Sequence, residues 1–561
     1  MRKIFFPVLC LLSVATFAQS PKSPTFNRSA LQAYVQTTVS RKTLRDISPN
    51  FSVDKVTSNP DGTVDVRICV GPRDYDAFEQ LGIPFTILEP DDKAVTAMAD
   101  TYEQLVANWN RYPTYNAYKE AMSTFESEFP QMCDIDTILA QTPGNHTLFV
   151  AHISNDLHNR GGKPAFFYTA TMHGDEPVGY YLMLRLIHYL LNNYDTDAQV
   201  RQLVDNVDIW ICPLENPDGT YRSSNTQINS WYSTRYNYNG DDMNRSYPII
   251  GQPVAKNYPP EVQAMMDFGA ERHFTLSANF HGGAEVVNYP WDTWTTIQRA
   301  HADQSWWDYI ARCYADTCHA VNASYMMDEN NGVTEGGDWY VITGSRQDYF
   351  NYYQGCREMT VEVSSDKVVN SNLLPTFWNR NRQSLLNYIG ESLNGFRGIV
   401  TDSVTNQPIA ARVFVENHDA DNSHTYSRLP YGDYHRPIRR GTWQVTFSAE
   451  GYFPKTLTLT VTDGQCLVQD VQLVPTNISV ADRNLPKVSV YPNPASNEVR
   501  VTSDQEEIVL VELYDLAGRR LVRQTVGELS ASLDLSSCAS GVYNLTVTFA
   551  SGKVSKRVVK Q

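Results

Sequence analysis

The stretch TATMHGDEPVG (residues 169–179) sets His173 and Glu176 three residues apart, directly after an apolar run from Pro164 to Thr171 and directly before a proline and an amphipathic segment. An imidazole nitrogen and a carboxylate oxygen at that spacing, leaving a buried strand, can reach one cation. Zinc accepts this donor pair, and a catalytic zinc wants three protein ligands and one open position. A second strand end offers the third donor. In SANFHGGAEVVNYPWD, His281 follows the apolar run Thr275 to Phe280, and the two glycines after it let backbone pack close. Either histidine alone would be an ordinary strand-end residue; two such ends with matching donors point to zinc.

Two further stretches carry charge suited to chemistry beside a metal. In RYNYNGDDMNRSY, Arg235 and Arg245 bracket a glycine-containing turn and Asn244 precedes Arg245. Guanidinium and amide donors fit a free carboxylate, and arginine can grip it with two parallel hydrogen bonds. In CREMTVEVSSDK, Glu358 and Glu362 lie four apart in a β-like run, so both point to one face while Val361 and Val363 point to the other. A carboxylate on a buried strand must be paired or functional, and beside a metal it can take a proton from water. The two-residue period does not say which glutamate does so.

These residues need a scaffold that gathers strand ends. A chain of 561 residues exceeds one hydrophobic core. Between about 115 and 393, apolar runs such as Lys163 to Ala170, Val207 to Cys212, Thr275 to Phe280 and Met359 to Val363 alternate with helical stretches such as Val178 to Tyr194 and Val262 to Phe268. That alternation predicts an α/β fold, a mixed, mostly parallel sheet with helices on both faces. Open sheets of this kind bind ligands outside the carboxyl ends of their strands, where His173 and His281 fall. Ahead of it, Thr63 to Val70 and Phe85 to Leu88 flank a helical segment at Asp74 to Leu81, a small α/β unit. After Gly395 short strands alternate with turn residues and helix signals cease, and the break Tyr491-Pro492-Asn493-Pro494 opens a last β-rich module. Two small all-β sandwich domains are expected there.

Composition narrows the partners. With a formal charge of -16 and no basic stripe, nucleic acid is excluded. The first residues, MRKIFFPVLCLLSVATFAQS, have basic, apolar and small-residue regions in the order of a secretory signal ending near residue 18, and no later run is long enough to span a bilayer. Cys10 falls in that leader. The other eight cysteines form no CxxC pair, so they are not metal ligands; secretion permits disulfides, with Cys313 and Cys318 the shortest loop and the pairing open.

Taken together, residues of about 110 to 393 resemble a zinc carboxypeptidase of the carboxypeptidase A/B superfamily, in its regulatory branch, typified by carboxypeptidases D, E and N. The motifs that carry the resemblance are HxxE at His173 and Glu176, RxNxxGxDxNR from Arg235 to Arg245, SANxHGGxxxxNYPxD around His281, WYxxxGxxQDY from Trp339 to Tyr349, and TVEV from Thr360 to Val363. Ser345 stands where a second glycine is usual and Asp241 replaces an apolar residue.

The resemblance implies one Zn2+ held by His173, Glu176 and His281, with Glu362 as general base and Arg235 as oxyanion stabiliser. It implies that Asn244, Arg245 and Tyr340 hold the substrate's terminal carboxylate. Asp292, eleven positions after His281, and Gln347 match the pocket for the terminal side chain, so peptides and proteins ending in Lys or Arg are the expected substrates. Residues 395–476 look like the transthyretin-like β-sandwich of the same branch, and 486–561 resemble a type IX secretion sorting domain through VYPNPASNEVRV, VELYDLAGRR and SGVYNLTV. That tail implies partnership with the type IX machinery, export through the periplasm of a Gram-negative cell, and release or surface attachment. Residues 19–105 have the position of a propeptide, which the regulatory branch usually lacks, and the catalytic domain is placed at 106–394. Two rival readings stand beside this one. A cell-wall or γ-glutamyl peptidase on the same fold would need a different carboxylate clamp, and a non-catalytic surface peptide-binding module would have no need of Glu362.

Overall fold

The computed structural model describes residues 25–89, 94–254, 257–476 and 485–561; the expected leader lies outside the described residues. The chain forms two compact units, one running to Val474 and one from Pro475.

The first unit opens with four strands, β1 (Ala33–Ser40), β2 (Ser52–Ser58), β3 (Thr63–Val70) and β4 (Thr86–Leu88), in the order β2-β3-β1-β4, with helices α1 (Arg41–Ile47) and α2 (Tyr75–Gln80) between them. Ser40 starts α1 as its cap, its hydroxyl accepting from the Thr43 amide. Alternation in β1 and β3 buries Val35, Val64, Val66 and Ile68 on one face, where Phe78 of α2 covers them.

An eight-stranded sheet follows. Its strands are β5 (Cys133–Leu139), β6 (Leu148–Ile153), β7 (Ala165–Ala170), β8 (Asp208–Cys212), β9 (Leu276–His281), β10 (Glu285–Tyr289), β11 (Val333–Glu335) and β12 (Arg357–Val363), in the order β11-β10-β12-β9-β7-β8-β6-β5. The central run β12-β9-β7-β8 is parallel, and antiparallel pairs flank it, so the sheet is mixed. Its central strands read as continuous apolar runs because both faces are covered. Phe166, Tyr168 and Ala170 of β7 enter one core with helix α3 (Pro177–Asn193), whereas Ala165 and Phe167 enter another with helix α4 (Pro260–Arg272). Helices α5 (Gln304–Val321) and α6 (Leu374–Glu391) complete the first of these layers.

Residues from Gly395 to Pro475 make a two-sheet β-sandwich, with strand Gly395–Asp402 central in one sheet and Gly441–Ser448 in the other. Phe396, Val400, Val413, Val445, Phe447 and Leu473 fill it. The second unit also has two antiparallel sheets, three- and four-stranded, around Val499, Val511, Leu513, Leu545 and Val547. Among the described residues no helix is long and apolar enough to cross a membrane.

All eight described cysteines are free. Cys313 and Cys318 do not close a loop, because both lie on α5, where a separation of five residues turns their side chains to different sides of the helix.

Candidate metal centre and cleft

The turn that carries His173 and Glu176 is fixed by its neighbours. Thr171, leaving β7, has φ +60, its amide donates to the Phe280 carbonyl at 3.2 Å, and its hydroxyl donates to the Glu176 carbonyl at 2.9 Å. A Cβ at Gly174 would stand 2.2 Å from the Gly219 backbone, so only glycine lets the two turns approach. Pro177 then begins α3, where its missing N–H costs nothing. The third donor arrives through the sheet, because β9 ends on His281 and its parallel register with β12 sets His281 opposite Glu362.

The three expected ligands therefore converge. His281 Nδ1 lies 3.0 Å from His173 Nδ1 and 2.8 Å from Glu176 Oε2, and His173 Nδ1 lies 3.0 Å from Glu176 Oε1. All three residues are buried. Two ring nitrogens and a carboxylate aimed at one point present lone pairs to a shared electrophile, which fits a tetrahedral zinc with one position left open. The electrostatics agree. Burial alone would raise Glu176, yet His173, Lys367 and His281 hold it well below the usual carboxylate range. Burial, against the pull of Glu176, pushes His281 down to about 4, keeping it a neutral donor at ordinary pH.

Asp242 was given no role from the sequence, although it is the aspartate of the RxNxxGxDxNR pattern. It accepts from Arg235 Nε at 2.9 Å and lies 3.3 Å from His173 Nε2, the outward-facing ring nitrogen. A carboxylate there fixes the tautomer that frees Nδ1 for a metal. It also accepts from the Asn244 amide at 2.9 Å, so one side chain orients a ligand, an arginine and the clamp beside them.

The other expected residues divide by environment. Glu362 lines the cleft with His173, Glu176 and His281, and its Oε2 has no hydrogen-bond partner. Burial and the facing Glu176 push it well above the ordinary glutamate value. Glu358, on the same face of β12, is saturated: it accepts from Arg346 Nε at 3.0 Å, Ser277 Oγ at 2.8 Å and Asn279 Nδ2 at 3.1 Å. Partners rather than period distinguish the two glutamates: Glu358 is spent within the fold and Glu362 Oε2 is not. Arg235, Asn244, Arg245, Tyr340 and Asp292 line the same cleft. Arg245 Nε and Nη2 are buried without hydrogen-bond partners, donors suited to an anion. Gln347 stands behind the wall, its amide donating to Asp292 Oδ1 at 3.0 Å. Burial raises Asp292, and burial with Asp292 nearby lifts Asp348 to about 7; the Asp348 carboxylate accepts from the Asp292 and Thr293 amides.

Comparison with known proteins matches this arrangement to a family. The zinc carboxypeptidase family model covers residues 118–384, and the model of a secretion system C-terminal sorting domain covers 489–561. Carboxypeptidase SOL1 of Arabidopsis thaliana is 32% identical over 357 residues, covering 62% of this chain and 69% of that protein. Carboxypeptidase M of Mus musculus is 31% identical over 373 residues, covering 63% and 80%. Carboxypeptidase D of Mus musculus is 33% identical over 349 residues, but the chain spans only 25% of its length. Among solved structures, carboxypeptidase A from Helicoverpa armigera aligns with a TM-score of 0.48 at 16% identity, covering 64% of this chain and 96% of that one. With the HxxE turn, the opposed His281 and Glu362, and relatives matched over most of their own length, the chain belongs to the zinc carboxypeptidase family.

Proposed function

We propose that the protein is an exported metallocarboxypeptidase that removes single C-terminal residues, with Lys and Arg preferred, from peptides and proteins. The observation that carries the reading is one cleft holding three convergent metal donors, an unpartnered glutamate and an arginine with two buried N–H groups, Nε and Nη2, left without partners.

His173, Glu176 and His281 would hold the zinc. When bound, zinc supplies Lewis-acid polarisation of a water and of the scissile carbonyl. Glu362 accepts the proton of the attacking water; its raised affinity for a proton suits it to pass that proton to the leaving amine. Arg235, anchored by Asp242, faces the carbonyl oxygen as it gains charge, a role in which one donor is worth roughly 3 kcal/mol. Arg245, Asn244 and Tyr340 fix the terminal carboxylate and so set which bond reaches the metal. Asp292, backed by Gln347, supports a basic terminal side chain: an apolar one would leave the buried carboxylate unpaired. Residues 395–476 are read as the transthyretin-like module of this branch. The sorting tail supports export by the type IX route to the medium or cell surface, and the N-terminal α/β unit is read as a propeptide.

The test is release of the last residue from peptides ending in Arg, Lys, Phe, Leu and Glu by zinc-loaded protein, before and after removal of the N-terminal unit. Release of Arg and Lys supports the whole reading. Preference for Phe or Leu removes the role of Asp292, and no release from any peptide after removal favours a non-catalytic peptide-binding surface.

A further inference from the structure

One buried side chain ties three segments of the α/β part together. Arg346 opens the helix Arg346–Tyr353, and its side chain is fully buried. Its Nε donates to Glu358 Oε1 at 3.0 Å and its Nη2 to Glu358 Oε2 at 3.2 Å, while Nη1 donates to Glu215 Oε2 at 2.8 Å. Glu358 lies on β12, the strand that carries Glu362. Glu215 follows β8; its amide donates to the Ala170 carbonyl and the Asn216 amide to the Thr171 carbonyl, at the root of the His173 turn. The guanidinium also lies 4.5 Å from the Phe350 ring centre and 5.2 Å from that of Phe167. A planar fork with five donors can meet two carboxylates and two rings at once; an ammonium cannot. Burial alone would lower Arg346, yet Glu215 and Glu358 hold it above the ordinary arginine range, so its charge is permanent.

The third segment is the carboxylate clamp. The Arg346 amide donates to Asn244 Oδ1 at 3.0 Å, and the Tyr247 amide donates to the Gly344 carbonyl at 3.0 Å. A Cβ at Gly344, where φ is +71, would stand 2.6 Å from the Arg245 carbonyl oxygen, so the two backbones touch. A backbone N–H can only donate. The carbonyl end of Asn244 is therefore fixed toward Arg346, and its NH2 end, a pure donor, is left for the cleft it lines. Turned the other way, Asn244 would offer an incoming carboxylate a carbonyl oxygen and repel it.

We infer that Arg346 is a positioning residue for the carboxylate clamp: anchored by Glu215 and Glu358, it holds the Asn244 amide with its donors toward the substrate's terminal carboxylate. What the clamp holds rests on the carboxypeptidase reading; the orientation of Asn244 rests on the contacts. A terminal carboxylate is gripped alike before and during the reaction, so loosening the grip raises KM and leaves kcat.

The experiment uses the zinc-loaded chain, whole and after removal of the N-terminal unit, with Arg346→Lys, Asn244→Ala and the double variant. Arg346→Lys should raise KM for an Arg-terminated peptide about tenfold, the lower end for losing a hydrogen bond to a charged group, with kcat within about twofold. Competition by free arginine should weaken by the same factor, whereas competition by its decarboxylated analogue agmatine, which gives the clamp nothing to hold, should not move. In the Asn244→Ala background the lysine change should add less than about twofold, because its route through Asn244 is gone. Glu358→Gln removes the surplus negative charge of the Glu215–Arg346–Glu358 group and so spares the fold; it should shift KM in the same direction by a smaller factor. KM unmoved in both variants, arginine and agmatine weakened alike, or effects of Arg346→Lys and Asn244→Ala that multiply, each overturn the positioning role. Arginine binding that weakens as expected in a protein that releases nothing from any peptide keeps that role and overturns the carboxypeptidase reading.

Discussion

Two clusters in the first unit bring together the same kinds of side chain. His173, Glu176 and His281 place ligand atoms within 4.8 Å of one another, and so do Asp303, His418 and Asp419. Ligand type does not distinguish them; what surrounds the ligands does. In the second cluster Asp303 Oδ1 accepts from Arg436 Nη2 at 2.9 Å and lies 2.8 Å from His418 Nε2, while Oδ2 accepts from Arg436 Nη1 at 3.0 Å and Arg357 Nη2 at 2.9 Å. Both Asp303 oxygens are occupied, and two guanidinium charges beside them repel a cation. This cluster is a clamp: Asp303 and Arg357 belong to the α/β part, His418, Asp419 and Arg436 to the β-sandwich. In the first cluster two imidazole nitrogens face each other at 3.0 Å and both face the Glu176 carboxylate, an arrangement suited to a shared cation, with Arg235 and Lys367 at its edge. Donor sets therefore read as metal sites when their ring nitrogens and carboxylate converge on one point.

The largest effect tests the first cluster. Glu362→Gln should lower peptide hydrolysis about 10²–10⁴-fold, the range for losing a general base, while zinc content measured on the purified protein stays at the wild-type level. Loss of zinc along with activity would make Glu362 a ligand and undo the distinction between donors and base. Next is the clamp. Asp303→Ala leaves Arg357 and Arg436 buried beside each other with their main counter-charge gone, and breaking such a pair costs about 3–5 kcal/mol. Denaturant unfolding should shift to lower concentration by that amount, with zinc content of the folded fraction unchanged. Zinc loss at the same stability would show a cation at Asp303 instead.

The sequence made the first cluster legible because each piece is local. A strand end, a tight turn at Gly174 and a helix start at Pro177 fix His173 and Glu176 within a few residues, and the sheet supplies His281. The mixed sheet was legible for the same reason, since runs such as Ala165–Ala170 are apolar on both faces. What escaped depends on partners far away in the chain. Glu358 and Glu362 are equivalent by period, and only Arg346, held also by Glu215 at 2.8 Å, shows which is structural. Asp54 reads as a strand residue until the register shift between Val53 and Lys55 and a partner more than three hundred residues on, Lys367, are placed. Asp242 sat inside a quoted motif, yet its three tasks appear only once His173, Arg235 and Asn244 are brought around it.

A smaller effect concerns selectivity. With the N-terminal unit removed, Asp292→Asn should lower the preference for Arg over Leu peptides by about 10–100-fold, the range for leaving a charged group without its buried partner. The same preference should weaken on acidification, because burial makes the Asp292 carboxyl hold a proton more tightly than usual. A preference that acidification leaves unchanged would place the selectivity elsewhere in the cleft.

The smallest effect returns to the clamp through His301, which lies beside it. The Asp303 amide donates to His301 Nδ1 at 2.9 Å, so the folded ring keeps that nitrogen unprotonated. Burial, with Arg357 and Arg436 adding to it against Asp303, lowers His301 to about 3 from an ordinary 6.5. The unfolded chain therefore takes up a proton first as pH falls. Stability contributed by this group is fully present above about 6.5 and is lost downward toward about 3, at one proton's worth, about 1.4 kcal/mol per pH unit. Asp303, held far below its usual 3.8 by Arg436 and Arg357 against the penalty of burial, adds its own loss only below about that pH. Denaturant midpoints measured from pH 7 to 4 should fall for the wild type and fall less steeply, by that one proton, for His301→Gln. Identical slopes would mean that the ring is protonated in the fold and that the clamp carries one more positive charge than its geometry describes.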